Sequence, residues 1–317
     1  MSSVETAGER HAPLDADLRA FLLRAEHVLG PAGADLARRR ERYLRLAELA
    51  GQPAAPSVAR TDMRIPAVQP GAPEVALRLY EASAGRRDAV AVYLHGGGWS
   101  AGSIASHDGL CAWMAERTGL RIASIEYRLS PEHPHPAALH DAQAAVCWAH
   151  AAHGHVALVG DSAGGYLAAA GALWAVRQHS LPLAWLGMLY PAVSPCLRLA
   201  SHDEHAESIG LKLDMLRQYW CWFAGEGSAS AQAPLDLLEV KHWQGLPPTH
   251  IVAAPWDPLR DEARALARRM ADSGVAVSCH EAQGMAHGFA RFVQQSPRAH
   301  RHMRDFCAVL RQAMGGP

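Results

Sequence analysis

The chain has 317 residues, of which 49% are hydrophobic and 19% are charged, and its formal net charge is -1. A chain of this length and composition can bury a large core and is typical of a soluble globular protein. It has no long basic or acidic block, so its charge gives no reason to expect nucleic acid or an anionic membrane as a partner.

The start of the chain carries no recognisable targeting signal. Residues 1–14 are polar and lack the apolar segment of a signal peptide. No uninterrupted apolar run approaches the ~20 residues that a membrane span requires. The sequence therefore predicts a cytoplasmic protein with no membrane partner.

Neither the cysteines nor the histidines form a recognisable disulfide or metal motif. The six cysteines are scattered without a C-x-x-C pair, which favours buried free thiols. Nineteen histidines are present, but H-E-x-x-H does not occur. The densest cluster, His202-Asp203-Glu204-His205, lies in a polar stretch, so we expect solvated loop histidines and no bound metal.

Two amphipathic helices are predicted before the first strand. The first presents one apolar face and ends at Gly30-Pro31. The second runs from about residue 35 to residue 50, and its arginines are expected to be solvated. The apolar face of the first helix contains Leu18, Phe21, Leu22, Ala25 and Leu29. The arginines of the second are Arg38, Arg39, Arg40 and Arg42.

Strand patterns follow these helices and then alternate with further helices. Residues 63–68 and 75–81 predict a hairpin, and the apolar run 89–94 is typical of a strand covered on both faces. The alternation beyond it predicts a mostly parallel sheet with helices on both faces. The later strands are predicted at 121–126, 155–160, 184–189, 249–254 and 275–281. The later helices are predicted at 107–118, 136–153, 164–179 and 261–273 and from about 297. A polar loop and an aromatic helix at 213–223 interrupt this pattern.

A nucleophile elbow is predicted at Gly160-x-Ser162-x-Gly164, between a strand and a helix. The glycines allow a turn that is too tight for side chains. The serine takes a strained conformation that lifts its hydroxyl above the sheet. The alternative is a glycine-rich turn with an incidental serine, and the neighbouring motifs favour the elbow.

Three further groups with suitable chemistry follow predicted strands. His95-Gly96-Gly97-Gly98-Trp99 follows the strand 89–94, and its glycines leave backbone N–H groups unshielded, as an oxyanion hole requires. Asp257 and His287 each follow a later strand, where sites gather in open α/β sheets. As alternatives, Asp257 could cap the next helix, a role for which Asp261 competes, and His287 could be an ordinary loop histidine.

Taken in order, these motifs resemble those of the bacterial branch of the hormone-sensitive lipase family of esterases. The resemblance covers the chain from about residue 63 onward. The matching stretches are His95-Gly-Gly-Gly-Trp, Tyr127-Arg-Leu-Ser-Pro-Glu-His-Pro-His-Pro-Ala-Ala, Gly160-Asp-Ser-Ala-Gly-Gly, Asp257-Pro-Leu-Arg-Asp-Glu and His287-Gly-Phe. Two positions depart from the family pattern: Ala263, where glycine is usual, and Ser130, where alanine is common. Neither touches the chemistry.

The proline-rich stretch 127–138 is interpreted as a scaffold. Its prolines stiffen the link between a strand and a helix. Glu132 within it either hydrogen-bonds the elbow or is solvated.

The resemblance implies an α/β fold of the α/β-hydrolase type, with a mostly parallel eight-stranded sheet flanked by helices and a helical cap. Residues 1–55 would form an N-terminal cap segment, and 56–317 the catalytic domain, with a cap insertion at about 196–240. The apolar face of the first helix needs a surface to cover, so we expect it to wall the acyl pocket together with Trp220, Trp222 and Phe223. The alternative is that both elements pack elsewhere on the core. The resemblance also suggests a homodimer, formed through the edge strand 275–281.

By motif match, Ser162 would be the nucleophile, His287 the base and Asp257 its orienting acid. The oxyanion N–H groups would come from Gly97, Gly98 and Ala163. The implied activity is hydrolysis of short- to medium-chain carboxylic esters through an acyl-enzyme, with no metal or organic cofactor. One alternative is a specialised acetylhydrolase or lactone hydrolase of a biosynthetic pathway. Another is a catalytically silent small-molecule receptor, which would have lost a member of the triad.

Overall fold

One sheet organises the computed structural model, which describes residues 11–30, 35–51, 53, 55–83, 85–178, 181–225 and 235–316. Its strands are β1 (Val58–Ile65), β2 (Val75–Ala82), β3 (Ala89–Leu94), β4 (Arg121–Glu126), β5 (His155–Asp161), β6 (Trp185–Leu189), β7 (Thr249–Ala253) and β8 (Val277–Glu281). Their order across the sheet is β1-β2-β4-β3-β5-β6-β7-β8. The predicted eight-stranded sheet is confirmed.

Six strands, β3 to β8, run parallel, whereas β2 is antiparallel to β4 and β1 is antiparallel to β2. Leu94 of β3 lies opposite Gly160 of β5, and Ala253 of β7 lies opposite Glu281 of β8. The carboxyl ends of these strands therefore meet at one edge of the sheet. Because sites in such sheets form at that edge, the segments that follow β3, β5, β7 and β8 are placed to meet there.

The core has two halves, one on each face of the sheet. Along β3, Val90, Val92 and Leu94 enter one apolar cluster, while Ala91 and Tyr93 enter the other. This alternation is the two-residue period of a strand that is buried on both faces. The helices of the first face are α4 (Ala137–Ala152), α5 (Ala163–Gln178) and α8 (Arg260–Asp272). Those of the second face are α1 (Ala16–Leu29), α3 (Ile104–Thr118) and α9 (Pro297–Ala313).

Three more helices precede the sheet or interrupt it: α2 (Leu36–Ala50), α6 (Ala200–Glu204) and α7 (Leu213–Ala224). The predicted helices at both ends of the chain and the aromatic helix are therefore present, and α6 was not predicted. Within the described ranges, no helix is long and apolar enough to cross a membrane.

The first strand begins five residues before its predicted start, at Val58 and not at residue 63. It lies at the edge of the sheet, and most of its residues are exposed, so it carries little apolar signal. Polar pairs hold it instead. Asp62 lies opposite Arg78 in β2 and binds its guanidinium at 2.6 Å, and Arg60 lies 3.1 Å from Asp108.

Two predictions about burial are partly wrong. All six cysteines are free, and Cys111 and Cys307 are buried, but Cys196, Cys221 and Cys279 are exposed. The expected solvated histidine cluster contains a core residue: His202 is buried, and its Nε2 lies 2.9 Å from Glu262 Oε1. Glu262 also accepts hydrogen bonds from the backbone of Val193 and Ser194 and ties α8 to the loop after β6.

The turn from β5 into α5 depends on the absence of side chains at two glycines. A Cβ at Gly164 would overlap the carbonyl oxygen of Leu94, and one at Gly160 would overlap the carbonyl of Gly164. Neither obstacle is a flexible side chain, because both are backbone atoms. The first turn of α5 is thereby pressed against the end of β3.

We expect Gly164→Ala to destabilise the protein by about 2 kcal/mol or more, because the added methyl group displaces backbone. Gly171→Ala is the matched control in the same helix. Its Cβ would lie at an ordinary 3.7 Å from Leu158, so the better helix propensity of alanine should leave stability unchanged or raise it. Urea unfolding of both variants tests this difference, and equal midpoints would contradict it.

Candidate active site

Ser162 lies between β5 and α5 in a strained backbone conformation. Its φ of 54° is in the left-handed region, which typically costs a non-glycine residue on the order of 1–3 kcal/mol. Its N–H donates to the carbonyl of Leu189 at 2.9 Å, and its own carbonyl accepts from Ala192 at 3.2 Å. These bonds to the end of β6 and the loop beyond it hold the predicted elbow in place.

The segments after β7 and β8 bring an acid and a histidine to this serine. His287 Nε2 lies 3.0 Å from Ser162 Oγ, and His287 Nδ1 lies 2.7 Å from Asp257 Oδ2. Asp257 is fully buried, so its carboxylate meets the ring in a site of low dielectric. Because the carboxylate accepts the Nδ1 proton, Nε2 is left to accept the proton of the serine hydroxyl.

The two candidate acids are engaged differently. Asp257 bonds His287 with one oxygen, and its other oxygen accepts the N–H of Leu259 at 2.9 Å, so it combines the orienting contact with a local capping contact. Asp261 instead binds Arg260 at 2.8 Å and accepts the N–H of Ser201 at 3.0 Å. His287 therefore contacts Asp257, which also makes the capping contact, whereas Asp261 faces Arg260 and Ser201.

The glycine-rich segment after β3 lies beside the elbow. The N–H of Gly96 donates to Asp161 Oδ1 at 2.7 Å, which fixes the segment to the residue that precedes Ser162. Gly97 and Gly98 have positive φ values of 125° and 61°. A Cβ at Gly98 would overlap the ring of Tyr219 in α7, so only glycine fits beneath that ring.

Asp161 is a site residue to which the sequence reasoning gave no role. It is buried, accepts the hydroxyl of Tyr93 at 2.8 Å and lies 3.4 Å from His107. Burial alone would raise its pKa, but His107 and these hydrogen bonds lower the pKa to about 2. The carboxylate therefore stays ionised and holds the glycine-rich segment by a charge-assisted bond. The motif Gly160-Asp-Ser contained it, but the spacing alone gave no partner.

A cavity opens over Ser162 and His287, with about 840 Å³ of atom-free space including its mouth. Its apolar wall comes from α1, α2, α7, the glycine-rich segment and the segments after β6 and β8: Leu22, Leu46, Trp99, Ala192, Leu211, Met215, Leu216, Tyr219 and Phe292. Three arginines also line it: Arg39, Arg42 and Arg291.

The aromatic residues predicted to wall the cavity lie elsewhere. Phe223 stacks on Trp99, with ring centroids 4.1 Å apart, and Trp220 lies 4.4 Å from the same ring. Both are buried in the core, beneath the face of α7 that lines the cavity. From the predicted stripe of α1 only Leu22 reaches the cavity, while Phe21 packs on Phe292 at 5.0 Å.

The expectation of solvated arginines in α2 is wrong for three of the four. Arg39 is buried, and its guanidinium lies 5.0 Å above Tyr219 and 5.1 Å above Trp222. Arg42 donates to the carbonyl of Gly30 at 2.8 Å. A helical period identifies the apolar face of a helix, but it does not show that a second helix will pack on the charged face.

Glu132 forms an ion pair with Arg40. It neither hydrogen-bonds the elbow nor is solvated without a partner. The guanidinium of Arg40 binds the Glu132 carboxylate at 2.7 Å and donates to the carbonyls of Ser100 at 2.8 Å and Ser130 at 3.2 Å. The bond from Arg40 lowers the pKa of Glu132 to about 2. One side chain thus ties α2 to the end of the glycine-rich segment and to the proline-rich stretch.

Comparisons with known proteins identify the family of the chain. A family model described as an alpha/beta hydrolase fold, Abhydrolase_3, matches residues 91–291. The chain is 34% identical over 236 residues to the esterase LipI of Mycobacterium tuberculosis, which covers 72% of this chain and 73% of the relative. It is 33% identical over 235 residues to the carboxylesterase NlhH of the same species, covering 71% and 74%.

A solved structure of an esterase from the bacterial hormone-sensitive lipase family superposes with a TM-score of 0.84 at 27% identity, covering 94% of this chain and 98% of that one. The family resemblance read from the motifs is therefore confirmed. The chain belongs to the hormone-sensitive lipase family within the α/β-hydrolase superfamily and is a carboxylic ester hydrolase.

Proposed function

We propose that the protein is a serine esterase that hydrolyses short- to medium-chain carboxylic esters, with Ser162, His287 and Asp257 as its catalytic triad. The observation that carries this proposal is the chain of two hydrogen bonds that joins Asp257 to His287 at 2.7 Å and His287 to Ser162 at 3.0 Å. A histidine oriented in this way activates a serine that is otherwise a weak nucleophile.

In the proposed reaction, Ser162 Oγ attacks the ester carbonyl while His287 Nε2 takes its proton. Asp257 holds the imidazole in the required tautomer and stabilises its charged form. His287 then gives the proton to the departing alcohol and afterwards activates a water molecule that releases the acid.

The tetrahedral intermediate would be stabilised by the N–H groups of Gly97, Gly98 and Ala163. Ala163 is the first residue of α5, so its N–H has no acceptor within the helix. Among the described residues, no other backbone carbonyl takes the N–H groups of Gly97 and Gly98. Each donor of this kind typically supplies on the order of 3 kcal/mol.

We also propose that residues 1–55 and the insertion at about 196–240 form a cap over the site. The support is that α1, α2 and α7 all line the cavity, through Leu22, Leu46 and Tyr219 among others. Residues 1–10, 31–34, 52, 54 and 226–234 of these segments lie outside the described residues. The apolar part of the cavity wall would contact the acyl chain.

Ser162→Ala should lower turnover by about 10⁴-fold or more, because the nucleophile is lost while no core volume changes. Wild-type protein should be labelled by a serine-directed phosphonate at Ser162 alone, as read by peptide mass spectrometry. A variant that folds normally and keeps a tenth of the wild-type activity would disprove the role of Ser162.

Asp257→Asn should reduce turnover by about 10⁴-fold, because an amide favours the wrong tautomer of His287. Asp261→Asn is the matched control: it makes the same chemical change four residues away, in a carboxylate that faces Arg260. Its effect on kcat should stay below about tenfold. If Asp261→Asn were the more damaging change, the assigned acid would be wrong.

For the cap, Met215→Trp should shift the acyl preference toward shorter chains, because the larger side chain fills the cavity. A series of 4-nitrophenyl esters from acetate to laurate would show octanoate losing about tenfold relative to acetate. Gln218→Trp is the control on the same helix, since this residue is not among those that line the cavity. Identical chain-length profiles in both variants would show that α7 does not limit the acyl chain.

A homodimer through the edge strand β8 is part of the same proposal. Support comes from the position of β8 at the end of the sheet and from the exposure of Ser278, Cys279 and His280. Sedimentation velocity at micromolar concentration should give the mass of two chains. A single peak with the mass of one chain at this concentration would disprove the dimer.

A further inference from the structure

The cavity over Ser162 carries a cationic wall that ester hydrolysis itself does not require. Arg42 on α2 and Arg291 in the segment after His287 line the same cavity as the serine and the histidine. A third arginine of the wall, Arg39, stacks on the aromatic rings of α7. Arg42 and Arg291 differ from Arg39 in their partners.

Arg42 is held by a neutral group. Its Nε donates to the carbonyl of Gly30 at 2.8 Å, and no carboxylate of the described residues lies within ion-pair distance of it. Burial lowers its pKa from the ordinary value, with Glu26 opposing this at longer range. A guanidinium still keeps its charge at neutral pH.

Arg291 is held in the same way. Its guanidinium lies over the ring of Tyr43 at 3.9 Å, and one of its NH₂ groups donates to the carbonyl of Tyr43 at 3.2 Å. Its Nε is buried and has no hydrogen-bond partner among the described residues. A buried donor without an acceptor costs free energy.

Other partly buried arginines of the described chain have counter-ions. Arg40 binds Glu132, Arg78 binds Asp62 and Arg260 binds Asp261. The one carboxylate among the described residues that line the cavity is Asp161, which is ionised, interacts with the charge of Arg291 and accepts hydrogen bonds from Tyr93 and Gly96 at Oδ1. Three arginines and one carboxylate thus line the cavity, so its wall has an excess of positive charge beside the reacting serine.

We propose that this enzyme selects esters that carry a carboxylate, with the ester carbonyl at Ser162 and the carboxylate at the pair Arg42 and Arg291. This inference rests on the proposed site. A guanidinium presents paired N–H donors that match a carboxylate, and in a cavity of limited water access such bonds are stronger than on the surface. The apolar part of the wall would take the rest of the substrate.

The test compares esters that differ in charge but not in shape. One pair places the charge on the alcohol side: 4-acetoxybenzoate against 4-acetoxybenzamide. The other places it on the acyl side: mono-(4-nitrophenyl) adipate against the matching adipamide ester, each corrected for spontaneous hydrolysis. For at least one pair, kcat/KM of the wild type should favour the anion by about tenfold or more. The pair that shows this preference identifies the side that meets the arginines.

Arg42→Gln and Arg291→Gln should each lower the ratio of anionic to neutral kcat/KM by about tenfold, mainly through KM. Arg45→Gln is the matched control on α2, because Arg45 is exposed and pairs with Glu41 outside the cavity. It should leave the ratio unchanged. No preference in either pair, or a preference that both cavity variants retain, would overturn the proposal.

A binding measurement covers the case in which an arginine variant fails to fold. Ser162→Ala protein should bind 4-acetoxybenzoate or the adipate monoester more tightly than its amide partner in calorimetry, and added salt should reduce this difference. Equal affinities would count against the cationic wall. Hydrolysis of 4-nitrophenyl acetate by the wild type and labelling of Ser162 test the proposed triad separately, so the two proposals can fail independently.

Discussion

The site depends on one steric constraint, the close backbone contact between the elbow and the end of β3. Gly164 lies against the carbonyl of Leu94, and the glycine-rich segment starts one residue later. This contact sets the distance between the serine and the backbone N–H groups of that segment. Rigid packing of backbone against backbone is a direct way to preorganise donors, because it leaves no side-chain rotamer to be fixed during the reaction.

The rest of the geometry follows from parallel pairing. β3, β5, β7 and β8 contribute the glycine-rich segment, the serine, the acid and the histidine, each just beyond a carboxyl end. No long loop is needed to assemble residues that are far apart in sequence. The hydrogen bond between Ser162 and His287 joins positions 125 residues apart in the chain.

The sheet was predictable because apolar runs mark its strands, and the candidate triad could be proposed because its residues lie in short motifs that resemble those of a known family. Apolar runs such as 89–94 are typical of strands covered on both faces, and the glycines flanking Ser162 are explained by a turn with no room for side chains. The charged wall of the cavity was not predictable in this way. Arg39 and Arg42 belong to a charged helical face, which in sequence alone indicates a solvated surface. Only the packing of α2 near α7 places these side chains in the cavity. Likewise, the start of β1 could not be predicted from the apolar pattern. It is an edge strand held by ion pairs of Asp62 and Arg60, and such a strand lacks apolar alternation.

Arg40 connects a helix that lines the cavity with the segment that follows β3. The guanidinium of Arg40 in α2 donates a hydrogen bond to the carbonyl of Ser100, three residues after Gly97. Because the same guanidinium binds Glu132 and the carbonyl of Ser130, one side chain joins α2, the proline-rich stretch and the end of the glycine-rich segment. The position of α2 and the position of that segment are therefore coupled, although α2 contributes no residue to the candidate triad.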